Sequence, residues 1–214
     1  MEITASMVKI LRDRSGAGIM ECKTALAEAQ GNSDQAFQIL RKRGLTGAAK
    51  RAARSTSEGI VGCYVHPGGR VGVLLEVNCE TDFVARTSEF QEMVKNLAMH
   101  IAASQPRFIS KEDVPEGVLT AEREIYAAQA RSSGRPEATV PKIVEGKVGK
   151  FFQEACLMEQ PYVRDPNQAV RDYVTEVIAK TGENIRIRRF SRYALGETLP
   201  RELDPPPRTD SEPV

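Results

Sequence analysis

The sequence predicts an α+β fold: a small three-helix bundle, then a three-stranded antiparallel sheet core with flanking helices and a short helical hairpin. Three observations predict it. Apolar residues recur at helical spacing between capping signals through the first 44 residues, and again from about Ser88 to Gly182. Between these stretches, from Glu58 to Asn78, the spacing switches to two around Pro67-Gly68-Gly69, as in a β-hairpin. A last alternating segment, Asn184 to Leu195, supplies a third strand. With 214 residues, 41% hydrophobic and 28% charged, the chain has length for one or two domains and a sizeable core.

Thr4 caps the first helix, whose inner face is Met7, Val8 and Leu11 and which Gly16 ends. The second runs from about Ile19 to Gln30 with Cys22, Leu26 and Ala29 inward. Asn32 and Gln35 form a capping-box pattern for the third, which carries Phe37 and Leu40 and is expected to stop at Gly44. Ile19 and Met20 stand at the tight Gly16-Ala17-Gly18 turn and are candidates for exposure. Six basic residues and no acidic one between 41 and 57, interleaved with alanines, read as a partly helical connector.

Val71, Val73, Leu75 and Val77 then share one strand face. After that strand the pattern breaks at Thr81-Asp82-Phe83-Val84. Ser88 with Gln91 is the expected cap of the next helix, with Phe90, Val94, Leu97 and Ile101 inward and Pro106 at its end. Two further helices, about Leu119 to Arg131 and from Pro136 past Phe151, make the hairpin. Asp165-Pro166 is expected to open the last helix, which carries Val170, Val174, Val177 and Ile178 and ends at Gly182. Arg188-Arg189 interrupts the final alternation and predicts a bulge. The domains expected are a bundle at 1–45, a basic linker at 46–57, an α+β core at 58–196 with its hairpin at about 118–156, and a disordered proline-rich tail at 197–214.

Formal net charge is +1, which gives no basic field for nucleic acid. No apolar run reaches the roughly 18 residues of a membrane span, and Met1-Glu2-Ile3-Thr4 lacks the regions of a signal peptide. Cys22, Cys63, Cys79 and Cys156 lack metal-ligand spacing and read as reduced thiols of a cytoplasmic protein. Gly146-Lys147 is followed by Val148, so there is no phosphate-binding loop. Gly16-Ala17-Gly18 follows no strand and lacks a third glycine. His66 and His100 have no zincin spacing, and nothing supports a Cys79–His100 dyad. The chain is expected to be no enzyme, to use no cofactor or metal, and to act through contact surfaces. Phe83 has two readings. Composition alone puts a phenylalanine in the core, whereas its place, between an acidic residue and a helix start just past a strand end, is where a scaffold presents contact residues. Two other classes compete: an interaction adaptor, and an RNA-binding protein using the 41–54 basic run, which no aromatics accompany.

Four stretches carry a resemblance. Residues 3–26, ITASMVKILRDRSGAGIMECKTAL, and 70–86, RVGVLLEVNCETDFVAR, resemble the N-terminal and central signatures of the elongation factor Ts family. Residues 98–109, AMHIAASQPRFI, and 183–195, ENIRIRRFSRYAL, also fit, and the resemblance spans about 1–196. It implies a ubiquitin-associated-like three-helix domain and guanine-nucleotide exchange on elongation factor Tu, with no direct nucleotide contact. It assigns Thr81, Asp82, Phe83 and Val84 to a segment that dislocates the partner's magnesium. Arg12, Ile19, Met20 and Lys23 match positions that dock the N-terminal domain on the partner's nucleotide-binding domain, and His66 and Arg70 match a turn that meets another partner domain. Long members of the family carry a duplicated core, whereas this chain has one unit, so a homodimer is expected.

Overall fold

The computed structural model describes residues 3–197, and the expected proline-rich tail lies, apart from its first residue, outside them. Helices α1 (Ala5–Ser15), α2 (Ile19–Glu28) and α3 (Ser33–Arg51) pack around Leu11, Cys22, Ala25, Leu26 and Ala36, all fully buried. Thr4 caps α1 by accepting from the Met7 N–H, and Asn32 caps α3 by accepting from Asp34 and Gln35. The third helix departs from expectation by running through Gly44 to Arg51. Gly44 faces α8 (Val170–Thr181), where a Cβ would already touch Ala179 at 3.6 Å. Close approach to a neighbouring helix thus offsets the roughly 1 kcal/mol that glycine costs within a helix, and Ala48 and Ala49 extend it.

Strands β1 (Glu58–Val65) and β2 (Val71–Cys79) form the expected hairpin, and β5 (Ile185–Ala194) pairs with β2. The sheet is antiparallel in the order β1-β2-β5. Glu76 opposes Arg189 while Val77 opposes Ile187, so Arg188 is the extra residue of the expected bulge. Helix α5 (Ser88–Ser104) lies on the inner face, where Val73, Leu75 and Val77 meet Phe90, Val94, Leu97 and Ile101. Gly62 admits it, since a Cβ there would stand 2.4 Å from Val94. The cap of α5 is Thr87, which accepts from the Phe90 N–H, not Ser88. Both hydroxyls suit an N-cap, and only Thr87 has the extended backbone that one needs.

Helices α6 (Glu116–Ser132) and α7 (Val140–Ala155) make the hairpin around a separate cluster of Ala130, Val140, Val144 and Val148. Asp165-Pro166 does not open a helix. It lies in β4 (Asp165–Ala169), which pairs with β3 (Pro161–Tyr162), and α8 begins only at Val170. A proline is tolerated in so short a ribbon, which has no central strand. Tyr162 stacks on Tyr173 of α8, 4.5 Å between ring centroids. The bundle is seated on the core by α3 against α8, with Arg41 paired to Asp172 at 3.2 Å.

Candidate functional site

Past the end of β2, residues Asp82–Ala85 form a one-turn helix, α4. Thr81 is its N-cap and accepts from the Val84 N–H at 3.4 Å, and Asp82 pairs with Arg86 one turn on at 2.9 Å. Ala85 is buried and Val84 half-buried against the sheet core, so that side of the turn is anchored. Phe83 points the other way and is 81% exposed. A ring left in water this completely contributes little to its own core, so the core reading of Phe83 does not hold.

The turn is held from across the molecule. The Glu183 carboxylate accepts from the N–H groups of Glu80 (3.1 Å) and Thr81 (3.0 Å) and from the Thr81 hydroxyl (2.6 Å). In return the Glu80 carboxylate accepts from the Asn184 N–H at 2.6 Å and from Arg54 at 3.4 Å. The Asn184 side chain is buried and donates to the Ala52 and Arg54 carbonyls, just past α3. Sequence reasoning gave none of Glu80, Glu183 or Asn184 a role, because the partners are about a hundred residues apart in the chain and no local pattern links them. Cys79 lies beneath this turn, its thiol donating to the Thr81 carbonyl; burial, with the Glu183 charge second, pushes its pKa up to about 11. At neutral pH such a shift keeps that thiol protonated.

The other expected site residues lie elsewhere. Ile19 (56% exposed) and Met20 (70%) open α2 on the bundle surface, beyond the Glu21 side chain that accepts from the Gly18 N–H. Arg12 and Lys23 are exposed on α1 and α2. His66 and Arg70 flank the β1–β2 turn, both exposed, with His66 Nδ1 3.0 Å from the Tyr64 hydroxyl. β2 has nine residues, so this turn stands about 30 Å from α4, at the opposite end of the same hairpin. The α4 and hairpin-turn sets are therefore separate patches, and the third set lies on other elements, α1 and α2.

Three of the six basic residues of the 41–57 run form ion pairs with acidic side chains. Arg41 pairs with Asp172, Arg43 with Glu28 and Arg54 with Glu80. His100 is fully buried, accepting from the Val163 N–H at Nδ1 and donating to Gln160 from Nε2, which makes it a structural histidine. Among the described residues no group of three or more His, Cys, Asp or Glu could hold a metal ion, and no helix is long and apolar enough to cross a membrane. The outer face of the sheet is apolar towards the hairpin turn, where Val65, Cys63, Leu74 and Tyr193 are exposed on adjacent strands.

A family model described as Elongation factor TS matches residues 33–197. The chain is 54% identical over 200 residues to Elongation factor Ts of Carboxydothermus hydrogenoformans, covering 94% of this chain and 92% of that protein. It is 55% identical over 197 residues to Elongation factor Ts of Moorella thermoacetica, 92% of this chain and 97% of that protein. Elongation factor Ts of Geobacter sulfurreducens is 52% identical over 202 residues, 94% of each chain.

Proposed function

The chain belongs to the elongation factor Ts family, and on that premise we propose that it is a translation elongation factor acting as guanine-nucleotide exchange factor for elongation factor Tu. It performs no covalent chemistry. It binds nucleotide-free partner more tightly than nucleotide-bound partner, and by reciprocity it weakens the partner's hold on GDP by the same factor. The observation that carries this reading is Phe83, 81% exposed on a turn whose other side is anchored in the core. Inserted into a partner pocket beside the magnesium site, the ring displaces the elements beneath it, and Asp82 adds charged contacts at the same point. Magnesium offsets phosphate charge, so moving its ligands loosens the diphosphate. Thr81 orients the turn and Val84 anchors it.

Arg12, Ile19, Met20 and Lys23 form a second contact on the N-terminal domain, which we read as ubiquitin-associated-like. His66 and Arg70 form a third, at the far end of the hairpin. Separate clusters of buried residues in the bundle and beneath the sheet support the domain division, and α3 takes in the first half of the connector, to Arg51. One core unit and an exposed apolar sheet face support a homodimer through that face, and the protein works in the cytoplasm.

The test is release of labelled GDP from purified elongation factor Tu with and without this protein. Acceleration at catalytic amounts is expected. No faster release at saturating protein overturns the reading.

A further inference from the structure

We propose that Glu183, acting with Glu80 and Asn184, is a positioning clasp for exchange: it locks the one-turn helix that carries Phe83 and ties that helix to the end of α3. The proposal rests on the reading of Phe83 as the partner-facing ring.

A helix of four residues has no stability of its own, because one turn fixes several dihedrals for almost no hydrogen bonds. Among the described residues its only side-chain cap is the Thr81 oxygen on the Val84 N–H. A hydroxyl has one proton and two lone pairs, so its orientation decides whether it can cap. Glu183 takes that proton at 2.6 Å and leaves a lone pair for Val84. Its other oxygen takes the Glu80 and Thr81 N–H groups, which lie just past Cys79–Ile185, the last pair of the β2–β5 ladder. Beyond that pair the two chains are joined by carboxylates instead of by each other's carbonyls, with Glu80 on the Asn184 N–H as the reciprocal half. All of these bonds are charge-assisted, the stronger class.

Asn184 extends the clasp to the bundle. Its amide nitrogen donates to the Ala52 and Arg54 carbonyls at 3.3 and 2.9 Å, and the residue is buried. An aspartate there would set lone pairs against two carbonyl oxygens. Because α3 belongs to the bundle that bears Ile19 and Met20, the same node fixes the spacing between the two patches that meet the partner. Two contacts held at the right spacing act at high effective concentration.

The experiment uses the full chain with elongation factor Tu. Glu183→Gln removes the charge and replaces one acceptor oxygen with a donor, so either the Thr81 hydroxyl proton or the two N–H groups lose their acceptor. Exchange efficiency is expected to fall about tenfold with the thermal melt little changed. Amide hydrogen exchange at residues 84–86 is expected to quicken. In a Phe83→Ala background the same substitution should change exchange by less than about twofold, since Glu183 acts through the ring. Glu80→Ala, which removes the acceptor of the Asn184 N–H, should also lower exchange, and it reads the clasp should Glu183→Gln fail to fold, unchanged exchange in it overturning the clasp. Unchanged exchange in Glu183→Gln, or an equal loss with and without Phe83, overturns the clasp. A wild-type protein that fails to release GDP overturns the function instead, and the amide-exchange arm then still decides whether Glu183 orders the turn.

Discussion

Phe83→Ala separates a partner-facing ring from a core ring by magnitude. At 81% exposure about one-fifth of the residue is covered, which for an aromatic burying about 200 Å² when enclosed is about 40 Å². At about 25 cal/mol per Å² the substitution costs the fold about 1 kcal/mol at most. That is a fall of about 2–4 °C in melting temperature for a chain of this size. If the ring is the anchor in the partner's pocket, the same truncation costs about 2–4 kcal/mol of interaction. Exchange efficiency then drops about 30- to 1000-fold. Release of fluorescent GDP from elongation factor Tu, titrated with wild type and variant, reads the second quantity, and a thermal melt of the same samples reads the first. Phe83→Leu, which keeps apolar bulk without the ring, should fall between the two. An unfolded Phe83→Ala protein, or a folded one that exchanges as well as wild type, refutes the assignment of the ring.

Ile19→Ala with Met20→Ala should raise the concentration of protein needed for half-maximal exchange about tenfold and leave the melt almost unmoved, since both side chains stand mostly in water; a large fall in melting temperature would return them to the bundle core. Leu74→Lys places a charge on the exposed sheet face and should convert dimer to monomer in sedimentation with the fold intact; a dimer that persists would put the interface elsewhere. Burial holds His100 neutral, its pKa below the ordinary 6.5. The unfolded chain therefore binds the proton first, and stability should be complete above about pH 6.5 and fall as pH drops through it toward the lowered value. Melting temperatures that stay flat from about pH 7.5 to about pH 5.5 would show that the imidazole is not kept neutral.

Local pattern carried the reading wherever the residues that decide an element lie near one another. The alternation of Val73, Leu75 and Val77 identified the buried face of β2, and the slip at Arg188 located the bulge. The failures share a cause. Gly44 ends a helix by intrinsic preference, yet α8 packs against it and the helix continues. Asp165-Pro166 has the sequence of a helix start, yet pairing with Pro161–Tyr162 makes it a strand. Thr87 and Ser88 are equivalent as caps until the backbone is known. Phe83 was the sharpest case, because its type argues for burial and only the direction in which α4 is mounted turns it outward. The motif surrounding it marked the place, while the residues that hold it there, Glu80, Glu183 and Asn184, were silent.

Why the turn must be held follows from comparing two energies. A loop that ordered only on meeting its partner would lose about 1–2 kcal/mol of backbone entropy per residue. Over the four residues of α4 that is about 4–8 kcal/mol, as much as or more than the 2–4 kcal/mol an anchor ring supplies. A flexible Phe83 would spend its whole interaction on becoming ordered and leave nothing to displace the partner's magnesium ligands. Ordering the turn beforehand moves that cost into folding, where the carboxylates of Glu80 and Glu183 and the buried side of Ala85 offset it. For the proposed role of Phe83, exposure and rigidity are therefore required together: the ring must be outside the core to reach the partner, and everything beneath it must already be in place.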